Sequence, residues 1–189
     1  MRAYFLVAAL ALAGCQSADE RQAAATGEIR LTNASMADVA RLTKAARAKS
    51  LLQPGQWQTE MHIVSADLSA YPEGPARNEQ MEAIKQQERS AQGCRTPDEL
   101  KPLDIDNLEQ IAGNCTFPRY IQAGGKIDVE IHCGEGAAAT VLTAAGTLSK
   151  TGYDVTIQQT AGTRGAANYL GLILNAKGTR TGNCVAKVG

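Results

Sequence analysis

Cys115-Thr116-Phe117-Pro118-Arg119-Tyr120-Ile121-Gln122 and Lys126-Ile127-Asp128-Val129-Glu130-Ile131-His132-Cys133, joined by Ala123-Gly124-Gly125, decide the reading of the fold. Both runs alternate apolar and polar residues with the period of a half-buried strand, and the glycines supply the left-handed conformation a tight loop requires. The stretch therefore reads as an antiparallel hairpin with a three-residue loop. Pairing Gln122 with Lys126 places Ile121 opposite Ile127, Arg119 opposite Val129, Phe117 opposite Ile131 and Cys115 opposite Cys133. Directly opposed positions bring Cβ atoms about 4.5–5.5 Å apart, close enough for a cross-strand bridge. Pro118 has no N–H to give a ladder, so its strand is expected at a sheet edge or with a bulge.

The remaining cysteines extend this reading. The chain has five, at 15, 94, 115, 133 and 184. An odd number in an exported protein leaves one outside the disulfide framework. Four internal cysteines permit three connectivities, and the hairpin selects Cys115 with Cys133, leaving Cys94 with Cys184 by elimination. The long bridge would contribute roughly 4 kcal/mol in the chain-entropy view. No C-x-x-C spacing is present, so neither a zinc ribbon nor a thioredoxin-like site is indicated.

Strands and helices follow on either side. Trp57 to Ala66 alternates, with Trp57, Thr59, Met61 and Ile63 on one face and Gln58, Glu60 and His62 on the other. Ala139 to Ser149 and Tyr153 to Thr160 form a second hairpin around Thr151-Gly152. A last strand or pair spans Tyr169 to Thr181 with Leu170, Leu172 and Leu174 inward. Ser35 caps a helix to about Ser50 with Asp38 three residues on. Pro75 suits the first position of a thinly apolar helix from Ala76 to Gln92, with Gly93 as its cap. Thr96 with Glu99, and Asp106 with Glu109, open short helical turns. The basic stripe of Arg41, Lys44, Arg47 and Lys49 reads as a solvated helix face. The expectation is an α+β fold: a curved antiparallel sheet of about six strands, an N-terminal helix, a helix between the first two strands, and two disulfide staples.

The chain start carries an address. Met1-Arg2 followed by an apolar run from Tyr4 to Leu12 reads as an export signal, too short to span a bilayer. Leu12-Ala13-Gly14-Cys15 resembles the bacterial lipobox, which implies lipidation of Cys15. Gln16 rather than Asp after it implies the outer membrane, with the domain facing the periplasm. Residues 1–14 are then the signal peptide, 15–28 a flexible tether and 29–189 one disulfide-bonded domain. The oxidising periplasm suits the disulfides.

Composition narrows the function. Across 189 residues, 19 Lys+Arg balance 19 Asp+Glu, which removes the basic footprint of nucleic-acid binding. No P-loop, dinucleotide fingerprint, nucleophile elbow or zinc-protease motif occurs, and no cofactor is implied. His62 and His132 lie on polar strand faces; with Glu60, Glu130 or Asp128 they would make a zinc site, but solvent-facing histidines are the simpler reading. Asp128 and Glu130 as a hydrolase dyad would likewise sit on the solvent side, so the chain is read as not an enzyme, with a hydrolase the least favoured reading.

Six stretches stand out together: Asn33-Ala34-Ser35, Pro54-Gly55-Gln56-Trp57, Cys94-Arg95-Thr96-Pro97, Asn114-Cys115-Thr116-Phe117, Gly124-Gly125-Lys126-Ile127-Asp128 leading to Cys133, and Gly182-Asn183-Cys184. By these residues the chain is similar to the bacterial envelope family called domain of unknown function 3617. The resemblance covers most of 29–184 and implies fold and location without chemistry or catalytic residues.

Two non-catalytic roles then compete. In the first expectation the apolar sheet face is plain core, and the outer surface meets another envelope protein or the cell wall. In the alternative that face is a cup for a small apolar or lipid-like molecule, lined by Trp57, Met61, Ile127, Val129, Val155, Leu172 and Leu174. An uncovered apolar cavity favours the cup, whereas helices filling the inner face remove it.

Overall fold

The computed structural model describes residues 17–97, 99–100, 114–136 and 139–184. Eight strands form one open, all-antiparallel sheet: β1 (Ile29–Ser35), β2 (Gly55–Asp67), β3 (Arg89–Arg95), β4 (Cys115–Ala123), β5 (Lys126–Cys133), β6 (Thr140–Ser149), β7 (Gly152–Ala161) and β8 (Leu170–Gly182). Their order across the sheet is β1-β4-β5-β6-β7-β8-β2-β3. Among the described residues three helices accompany them, α1 (Ala18–Thr26), α2 (Met36–Ala46) and α3 (Pro75–Lys85), with a 3₁₀ turn at Arg47–Lys49. The fold is the expected α+β antiparallel sheet with two disulfides, but with eight strands rather than six.

The extra strands are the two edges. β1 pairs with β4, Ile29 opposite Gln122 through Ser35 opposite Thr116. β3 pairs with β2, Gly55 opposite Arg95 through Met61 opposite Arg89. The helix expected to run to Gln92 stops at Lys85, and Arg89–Arg95 turns to strand. The thirteen-residue β2 offers an unpaired row of backbone groups, and its demand outweighs the weak helical pattern of Ser90-Ala91-Gln92-Gly93. Gly93 is consequently a strand residue opposite Trp57, not a helix cap.

The β4–β5 hairpin differs from its expected register in an instructive way. Gly124 and Gly125, at φ 58° and 73°, make a two-residue turn, so Ala123 rather than Gln122 ends the strand opposite Lys126. Tyr120 and Gln122 thereby face inward, opposite Val129 and Ile127, and Arg119 lies opposite Glu130 on the outer face. Between Thr116 and Arg119 the register shifts back, Phe117 and Pro118 together standing against Ile131. Cys115 and Cys133 end opposite each other and are bridged, as are Cys94 and Cys184. Opposite Pro118, Asn33 of β1 takes φ 50°, a conformation Asn tolerates better than most residues.

The segment expected to be a flexible tether contains α1. Ser17 and Glu20 form a capping box, Ser17 Oγ accepting from Glu20 N at 3.2 Å and Ser17 N donating to Glu20 Oε2 at 2.8 Å. Gly27, at φ 75°, closes the helix by donating to the Ala23 carbonyl. Ala23 is buried with Val39 and Leu42 of α2, and Arg41 pairs with Glu20 at 3.1 Å and with Asp38 at 3.0 Å. One cation of the supposed solvated stripe thus fastens α1 to α2. The Ser35–Asp38 capping box of α2 is present as expected.

The inner face is covered from both sides. α1 and α2 pack over β1, β4 and β5 around Phe117, Tyr120, Val129 and Ile131. Buried Gln122 is satisfied by the Gly27 carbonyl at 3.3 Å and by the Tyr120 hydroxyl at 3.5 Å. At the other side, Ile84 of α3 packs with Leu68, Leu172 and Leu174.

Candidate functional site

Between these two helical covers lies a cavity of about 370 Å³ on the middle strands. That volume is within the range of small-molecule sites. Pairing explains the space: Ile127, Gly146, Val155, Ala176 and Met61 stand in one row across β5, β6, β7, β8 and β2, and Val129 and Ala144 head the next. Ala144 and Ala176 line the cavity where bulkier residues would fill it. Leu142, Ile157 and Leu148 complete its aliphatic walls.

One end is different. Trp57 of β2 stacks on Tyr153 of β7 across the intervening β8, ring centroids 6.0 Å apart. This is possible because Gly178 of β8 lies between them: a Cβ there would overlap the Tyr153 ring. Trp57 Nε1 donates to the Gln53 carbonyl at 3.0 Å, and Leu52 and Leu100 pack against the indole. Arg95, Glu99 and Thr59 line the same cavity. Burial raises the Tyr153 phenol above its ordinary value, with the nearby Arg95 charge acting in the opposite sense. Glu99 is held below the ordinary carboxylate value chiefly by the Thr96 backbone N–H, the Thr96 hydroxyl adding to it.

A family model described as "Protein of unknown function (DUF3617)" matches residues 52–184. The chain belongs to the DUF3617 family. No curated protein and no solved structure matches it. Every residue named above as lining the cavity lies inside the DUF3617 match, which runs from Leu52 of the wall to Cys184 of the second bridge, whereas α1, β1 and α2 precede it.

Of the seven residues expected to face a ligand, five line this cavity: Trp57, Met61, Ile127, Val129 and Val155. Leu172 and Leu174 do not; they are buried under α3 with Leu68 and Ile84. They share the sheet face but sit beyond the cavity, where the β2–β8 register shift between Ile63 and Ser65 and the α3 cover make ordinary core. Arg95 and Glu99 are not among the expected site residues, because nothing local in the sequence marks Arg89–Arg95 as an edge strand. The signal available was Arg95 next to Cys94, which the second bridge ties to the end of β8.

The other candidates stay on the outer face. His62 lies 3.4 Å from Glu60 and His132 lies 2.8 Å from Glu130, on strands separated by three others. Among the described residues no group of three His, Cys, Asp or Glu could hold a metal ion. Asp128 and Glu130 both pair with Arg119, at 2.9 and 3.3 Å, so the suggested dyad has a guanidinium between its carboxylates. Asp106 and Glu109 lie outside the described residues, as does Cys15. No described helix is long and apolar enough to cross a membrane.

Proposed function

We propose that this DUF3617 chain is a non-catalytic envelope module, anchored through a lipid on Cys15 to the outer membrane, whose curved sheet holds a small apolar molecule. The observation that carries the binding role is the cavity itself: about 370 Å³ of space over Ala144 and Ala176, left open between α1–α2 on one side and α3 on the other. A plain core would have larger side chains there, because empty apolar volume costs stability. The anchoring rests on the Met1-to-Cys15 pattern alone.

Native mass spectrometry of chain produced in an oxidising compartment and purified gently tests the binding role. A reproducible adduct lost on denaturation is expected. A clean mass with both disulfides intact would overturn it and favour a protein-interaction module, to be pursued by crosslinking in cells. For the anchor, Cys15→Ser is expected to abolish fractionation with membranes; unchanged fractionation would refute it.

A further inference from the structure

We propose that the molecule held in this cavity is a single-chain alkyl carboxylate, its tail between Val129, Leu142 and Ile157 and its head group on Arg95 and Tyr153. The inference rests on the binding role above and adds the ligand's polarity and orientation.

The cavity is amphipathic along its length. Its far end is aliphatic, formed by Val129, Leu142, Ala144 and Ile157. Its other end holds the Trp57–Tyr153 stack and, beside it, Arg95. Arg95 ends β3 opposite Gly55, two pairs before Trp57, and it is half-buried. An aromatic ligand has little to stack on, since Trp57 and Tyr153 already stack on one another. A flexible aliphatic tail fits walls of Leu, Ile, Val and Ala better.

Charge sets the head group. Arg95 is near enough to both Tyr153 and Glu99 to act on their ionisation. The Glu99 carboxylate takes its hydrogen bonds from Thr96, its Oε2 accepting from Thr96 N at 2.8 Å and from Thr96 Oγ1 at 2.9 Å. Thr59 Oγ1 donates to the Ala91 carbonyl at 3.3 Å. Among the described residues, the guanidinium and the phenol hydroxyl are then the donors that end the apolar space. A planar carboxylate accepts a bidentate pair from guanidinium and one further bond from a hydroxyl, which neither an alcohol nor an ammonium reproduces.

Titration calorimetry on the full chain, both bridges intact and co-purified molecules removed, compares dodecanoate, 1-dodecanol and dodecyltrimethylammonium. Dodecanoate is expected to bind at least about tenfold more tightly than dodecanol, the ammonium weakest. Arg95→Gln should bring dodecanoate to the level of dodecanol and leave dodecanol unchanged, which also shows that the variant is folded. Equal binding of carboxylate and alcohol, or preference for the ammonium, overturns the head-group assignment while the cup stands. No binding of any of the three to the unmodified chain overturns the assignment and the cup together.

Discussion

Cys115 faces Cys133 across β4–β5, Cα to Cα 4.2 Å, because two residues of β4, Phe117 and Pro118, stand against the single Ile131. The two-residue Gly124-Gly125 turn sets the strands one step away from the register that pairs the cysteines, and the bulge restores it. Both cysteines are buried in the cluster that α1 and α2 cover. Replacing both with serine should cost about 3 kcal/mol, the figure expected for a closed loop of this size, read as a lower urea midpoint. An unchanged midpoint would mean that the bridge adds nothing to what the hairpin already holds.

Gly178 is where β8 lets Tyr153 reach Trp57. Gly178→Ala should expel the Tyr153 ring, cost about 1–3 kcal/mol and shift the emission of the chain's single tryptophan. Gly182→Ala, where nothing lies within 4 Å of an added Cβ, is the control and should change neither. Equal effects of the two substitutions would refute the role of Gly178.

Ala176 lines the cavity and is only partly buried. Ala176→Leu should fill the space, hold or raise the melting temperature, and abolish retention of any bound molecule in native mass spectra. Retention at the level of the unmodified chain would place the binding elsewhere.

The junction of α1 and α2 should loosen first in acid. Glu20 is held below its ordinary value chiefly by the Ser17 backbone N–H, with Arg41 adding to it, and Asp38 by the Ser35 hydroxyl and then Arg41. A carboxylate with a lowered folded value contributes stability that is full above its unfolded value and lost as pH falls through the folded one. Hydrogen exchange should therefore show α1 amides losing protection below about pH 4, ahead of β5 and β6. Glu20→Gln should lower α1 protection already at neutral pH. Simultaneous loss across α1 and the central strands would contradict this order.

Much of the architecture was legible because it is local. The alternation of Ile127, Val129 and Ile131, the glycines of the turn, and the Ser35–Asp38 box each act within a few residues, and all are found in the structure. The pairing of Cys115 with Cys133 was legible through two compensating features, a turn one residue shorter than expected and a bulge at the proline. α1 was missed although Ser17-Ala18-Asp19-Glu20 is a capping box and Gly27 a stop signal. Its only deeply buried residue is Ala23, too small to mark an apolar stripe. β1 and β3 were missed because they gain their hydrogen bonds from partners distant in the chain: Ile29 from β4, Arg95 from β2.

By itself the chain determined the strand faces, the principal hairpin, the caps and the inward set of apolar residues, since periodicity and turn chemistry follow from backbone geometry. It could not separate Val155, which lines a cavity, from Leu174, which lies under a helix: both are aliphatic residues on the same face of one sheet. That distinction belongs to the tertiary structure, where α1 with α2 and α3 cover opposite ends of the sheet. Over Ala144 and Ala176, between them, packing among the described residues leaves the space unfilled and Arg95 stands at its edge.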